Sequence, residues 1–171
     1  MKDLLTKASK YRFGTKLGEC FQMTMCLSKY MLEEEGIQLK THIGGIRNSG
    51  ATTVHLWSSY EGKTIDLTSH TQPMDRVQAE ILGEKIEGFE NAKRVSSKKI
   101  NTSHVRSFSK EMVRYFREED KNDITVHHIF LKNVKTGLVP YETLKNALDY
   151  KTKKNPALYQ DFYDYMSKAS A

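Results

Sequence analysis

A cysteine, a histidine and an aspartate, Cys20, His55 and Asp66, stand in an order that nucleophilic catalysis can use. A thiol is a weak nucleophile near its unperturbed pKa of about 8.5, and becomes effective when a helix N-terminus and an imidazolium stabilise its thiolate. Cys20 follows Gly18-Glu19 and opens a stretch in which Phe21, Met23, Met25, Leu27, Tyr30 and Met31 recur at helical spacing. Gly36 stands where the C-terminus of that helix would close. The thiol is therefore expected in a first helical turn. Gly18 would permit a sharp entry, and the Cys20 amide could donate to a tetrahedral oxyanion.

The base and its orienting carboxylate must come from other elements. After Gly36 the pattern changes to short stretches rich in β-branched residues, IQLKTHIGGI, TTVHLWSSY and KTIDLT, punctuated by Gly44-Gly45, Asn48-Ser49-Gly50 and Glu61-Gly62. His55 lies in the second stretch and Asp66 in the third, with a tight reversal expected at Glu61-Gly62. Counted outward from the gap between Glu61 and Gly62, His55 is the seventh residue back and Asp66 the fifth forward. The offset is even, so both side chains can share one face of the hairpin, as a triad requires.

Gly18-Glu19-Cys20 opening a helix, His55-Leu56-Trp57 on a strand, and Asp66-Leu67-Thr68 after a hairpin together resemble the transglutaminase-like superfamily, a branch of the papain-like cysteine enzymes. The resemblance covers about fifty residues of the 171. It implies a helix packed on an antiparallel sheet. It also implies Cys20 as nucleophile toward an amide, ester or thioester carbonyl, His55 as acid and base, and Asp66 as orienter. The expected activity is a cysteine hydrolase acting on peptide or isopeptide bonds through a thioester, with a peptide or protein as substrate and no cofactor. Transfer of the acyl group to an amine is the enzymatic variant. A non-catalytic module of the same fold that contacts an acidic partner or nucleic acid is the alternative from another class. The second oxyanion donor should come from the segment before Gly18, where no glutamine stands and where Lys16 and Tyr11 are weak substitutes.

Composition fits this reading. A chain of 171 residues with 38% hydrophobic and 28% charged residues is one domain's worth, able to bury roughly two thirds of its unfolded surface. Neither an N-terminal apolar leader nor a stretch of about 18 apolar residues is found, so the expected setting is cytoplasmic, away from membranes, with export by a route that uses no cleaved signal as the alternative. Cys20 and Cys26 match neither a zinc nor a redox spacing. The net charge of +6 favours an acidic partner without defining one.

The expected architecture is a single α+β domain over 1–171: a papain-like or transglutaminase-like core at about 11–72, then a helical extension at about 73–171 that shapes the substrate groove. A short amphipathic piece with Leu4, Leu5 and Ala8 precedes the core. In the extension, Met74 to Glu87 and Ser107 to Asp120 read as helices, with Ser107 or Ser109 as N-cap for the second. DITVHHIFLKNV is compatible with strand or helix, Lys93 to Lys99 reads as a solvated loop, and Pro140 and Asn155-Pro156 bracket two final helices. Cys26 reads as core packing, and Trp57 as either core or a shield over His55. His42 is a rival base without a matching carboxylate partner, and His70 reads as a surface residue. His104, His127 and His128 lack zinc-site spacing. Lys93, Arg94, Lys98, Lys99, Lys151, Lys153 and Lys154 could form a basic surface, though no aromatic interleaves with the first cluster. Tyr159, Phe162, Tyr163 and Tyr165 read as packing in preference to a partner surface.

Overall fold

Two residues set the hairpin on which the site depends. Glu61 (φ 49°) and Gly62 (φ 75°) are both left-handed, the backbone of a two-residue turn whose twist suits the strands it joins. In a computed structural model that describes residues 1–14, 19–48, 51–68, 79–86, 93–115 and 118–169, this turn joins β2 (Ala51–Tyr60) to β3 (Lys63–Ile65). The register pairs Tyr60 with Lys63 and Ser58 with Ile65. Asp66 continues beyond β3 and bridges Glu80 of β4 (Glu80–Ile81).

The remaining strands are β1 (Lys40–Asn48), β5 (Glu84–Lys85), β6 (Lys93–Val95) and β7 (Leu138–Val139). The main antiparallel sheet runs β3-β2-β1-β6, and β7 also pairs with β1. Thus β6 takes the Gly45–Arg47 part of the β1 edge and β7 takes Thr41 and His42. Gly44 and Gly45, expected as punctuation, lie in the middle of β1. A Cβ on Gly44 would sit 2.6 Å from the Trp57 ring and 2.6 Å from the Val95 carbonyl oxygen. Here glycine marks a close approach of neighbours, not a break.

The long helix α2 (Glu19–Glu35) is buried around nearly its whole circumference, as a helix enclosed by other elements must be. Its C-terminus closes at Gly36 (φ 66°), where the Ile37 amide donates to the Met31 carbonyl at 2.9 Å. Met25, Leu27 and Met31 of α2 share one core with Ile43, Leu56 and Ile65 of the sheet. Around them lie α1 (Lys2–Ser9), α3 (Thr102–Met112), α4 (Glu118–Leu131), α5 (Tyr141–Lys154) and α6 (Ala157–Ser167). Pro140 and Pro156 stand as the N-caps of α5 and α6. The C-terminal aromatics pack: Phe162 is fully buried, edge-on to Tyr11 at 5.3 Å and stacked on Phe13 at 5.8 Å. The Tyr165 hydroxyl donates to the Lys7 carbonyl at 2.9 Å.

Residues 73–171 are not a purely helical extension. Of the helix expected over Met74 to Glu87, the described part, 79–86, is instead a hairpin in which Leu82 (φ 52°) and Gly83 (φ 81°) turn the chain, a conformation that no helix interior contains. The helix expected over Ser107 to Asp120 begins earlier, at Thr102, because Asn101 caps it by accepting from the His104 amide at 3.0 Å, and it ends at Met112; Glu118 to Asp120 open α4 instead. DITVHHIFL belongs to α4. Lys93 to Lys99 is not a solvated loop; it supplies β6 and a short 3-10 turn at Ser97–Lys99. The α+β class holds, and no helix among the described residues is long and apolar enough to cross a membrane.

Gly44→Ala should overpack the space between Trp57 and β6 and lower stability by about 1–3 kcal/mol. The measurement is urea unfolding, where the midpoint should fall.

Candidate functional site

Cys20 is the second residue of α2, so its amide has no carbonyl four residues earlier within the helix to bond. The side chain is 4% exposed and the thiol is free of any disulfide. Gly18 and Lys16 lie outside the described residues. Just upstream, the Phe13 amide donates to Glu19 Oε1 at 3.2 Å, which ties the preceding segment to the first turn of α2. Tyr11 is engaged in the aromatic cluster with Phe13, Phe162 and Tyr165.

His55 is central on β2, opposite Gly44 of β1. Extending the hairpin register from the Ser58 and Ile65 pair sets Asp66 opposite Trp57, two residues from His55 on the same face. The expected geometry results: His55 Nε2 donates to Asp66 Oδ2 at 2.8 Å, with both side chains buried. The Cys20 thiol lies near enough for its charge to bear on this imidazole, whose Nδ1 is buried. With Nε2 on Asp66, Nδ1 is the ring nitrogen available to the thiol. The structure therefore brings all three expected residues together.

Two opposing effects set the protonation of His55. Burial disfavours the imidazolium, yet the charges of Asp66 and Cys20 and the hydrogen bond to Asp66 favour it, and the outcome lies well above the usual histidine range. An imidazolium beside a thiol is the electrostatic condition for a reactive thiolate.

Trp57 lies nearly parallel to His55 (ring centroids 5.9 Å, 21°) and to His42 (5.7 Å, 11°). It covers a flat side of the base as well as packing. His42 shares its Nε2 with the Ser59 hydroxyl at 2.7 Å, and burial, then Lys40, lowers its proton affinity. Its contacts leave the triad to His55. Cys26 is fully buried, and burial pushes its thiol far up despite Lys151 and Lys29, the behaviour of a core residue. His70 lies outside the described residues. Among the described residues, no group of three or more His, Cys, Asp or Glu is arranged to hold a metal.

Two residues take places that the sequence did not indicate. Arg94, expected in a solvated loop, is 14% exposed; its Nη1 donates to Asp66 Oδ2 at 3.1 Å and its Nη2 to Glu80 Oε1. The signal that could have found it is a buried aspartate in need of a cation, but nothing in Lys93-Arg94-Val95 says which strand it joins. His127 of α4 is the other. It packs on Phe21, the neighbour of Cys20, at 5.0 Å between ring centroids, and its Nε2 is shut from solvent.

No protein-family model matches the chain, and no curated protein and no solved structure matches it.

Burial, then the charge of His128, lowers His127 to about 4, so folding holds this ring neutral. Its contribution is complete above the unfolded value of about 6.5 and is lost as pH falls toward 4, by at most ~3 kcal/mol. Chemical unfolding followed between pH 7 and 4 should show that decline, and His127→Leu should flatten it.

Proposed function

We propose that the protein is a cysteine-dependent acyl-transfer enzyme, a hydrolase of peptide or isopeptide bonds. The observation that carries this reading is one buried imidazole, His55, hydrogen-bonded to Asp66 and close enough to Cys20 to feel the charge of its thiol. Cys20 as thiolate attacks the carbonyl carbon, and the oxyanion is met by its own amide at the start of α2. The His55 imidazolium gives its proton to the leaving amine as the C–N bond breaks, leaving a thioester and neutral imidazole. Water then adds, His55 takes its proton, and the acid is released with the thiol regenerated. An amine in place of water gives transamidation by the same steps. A helix bearing the nucleophile against an antiparallel sheet with His and Asp on adjacent strands agrees with a papain-like or transglutaminase-like core, which is the fold reading we attach to it. A reducing, cytoplasmic setting suits two free cysteines.

A second reading is supported by a separate surface. A groove of about 540 Å³ is lined by Lys98, Arg106, Lys132 and Lys135 around Ile100, Leu131 and Val134. The basic surface expected from sequence is thereby redistributed: Arg94 turns toward Asp66, and Lys151 is buried. Cations around an aliphatic floor suit an acidic peptide better than a nucleic acid, which would gain from stacking aromatics. A binding module would take such a peptide in a salt-sensitive manner, with Cys20 irrelevant.

The deciding measurement is the pH dependence of iodoacetamide alkylation at both cysteines, read by peptide mass spectrometry. Cys20 should be modified selectively below pH 7, and His55→Ala should abolish that selectivity; slow, equal labelling in both chains would sink the enzymatic reading. Fluorescence anisotropy with a glutamate- and leucine-rich peptide tests the groove. Binding should weaken several-fold on raising salt from 50 to 200 mM and on Arg106→Ala, and should survive alkylation of Cys20; binding indifferent to both salt and Arg106 would remove the groove from consideration.

A further inference from the structure

Asp66 Oδ2 accepts from two donors at once, His55 Nε2 at 2.8 Å and Arg94 Nη1 at 3.1 Å. Asp66 and Glu80 are bridge partners whose backbones exchange both hydrogen bonds, at 2.8 and 2.9 Å. Two carboxylates are thus fixed beside each other, one buried and one mostly so. Side by side they repel, and a cation between them removes the penalty. Arg94 reaches both with one planar fork, which the point charge of a lysine cannot reproduce.

We propose that Arg94 is a positioning residue for the Cys20–His55 pair: by bridging Asp66 to Glu80 it holds the carboxylate on His55 Nε2 and tempers that carboxylate's pull on the imidazolium proton. This deepens the acyl-transfer reading and rests on it, because His55 must release that proton to a leaving group. An Asp66 serving His55 alone would hold the proton more tightly. A free second carboxylate at Glu80 would add to the effect.

Among the described residues, the charged and titratable groups about His55 include Cys20 at the start of α2, Asp66 after β3, Glu80 on β4 and Arg94 on β6. Glu19, next to Cys20, is turned to the Phe13 amide, and His42 of β1 stacks on the same Trp57. Two of these can be altered with opposite consequences. Losing the Arg94 charge strengthens the hold on the imidazolium; losing the Glu80 charge leaves Arg94 less compensated and weakens it.

The test is a pH titration of His55 by NMR of the full chain labelled with 15N-histidine, on a Cys20→Ala background so that the thiol does not titrate with it. Loss of the signal in His55→Ala assigns it. Arg94→Gln should move the His55 titration up by roughly one pH unit, Arg94→Lys should move it less, and Glu80→Gln should move it down. Opposite signs are the mark of this role, since a merely structural arginine would not produce them. A titration unmoved by both changes, or displaced in the reverse directions, overturns the proposal. Should Arg94→Gln not fold, Glu80→Gln decides alone, since Glu80 is partly exposed and its loss leaves no buried charge unpaired. Failure of Cys20 to alkylate in the parent chain would strike the acyl-transfer reading and leave the Arg94 result standing.

Discussion

The hydrogen bond from His55 to Asp66 is the interaction on which the rest of the arrangement depends. Both groups are almost wholly removed from water, and a buried ionisable pair survives only when its geometry is good and its other valences are met. Removing one partner of such a pair typically costs about 3–5 kcal/mol, because the remaining charge is stranded. The surrounding architecture meets that demand. The left-handed turn at Glu61 and Gly62 sets the register, Gly44 leaves room for Trp57, and β4 and β6 deliver Glu80 and Arg94.

Much of the site was legible because it is written in local periods. Period-2 alternation and one turn placed His55 and Asp66 on a common face, and period-3.6 spacing placed Cys20 at the head of a helix. What was illegible is non-local. Lys93–Val95 is three residues long and contains two cations, so neither length nor pattern marks a strand; it is one because β1 offers an edge. Leu82 takes a positive φ that its side chain disfavours, so Gly83 alone hinted at a turn within an apparent helix. Asn101 lay outside the expected helix and captured its N-terminus, shifting the start by five residues.

The interplay of charge is more economical than the separate residues suggest. Burial pushes His55 toward neutrality while Asp66 and Cys20 draw it back, and Arg94 acts on that contest through Asp66 without lying in the hairpin. Helix α2 adds its N-terminal partial charge at the thiol. Each contribution comes from a different element, which makes the site a property of the whole sheet and not of the helix and hairpin alone.

The shared edge of β1 carries a consequence in time. Its two halves are completed by β6 and by β7, and β7 lies about a hundred residues downstream in the chain. Contacts of such separation form late, since loop closure must precede them. A chain emerging during synthesis can carry Cys20, His55 and Asp66 long before Leu138 and Val139 exist to pair with His42 and Thr41. The β1 edge at Thr41 and His42 is thus the last part of this sheet that the chain can complete.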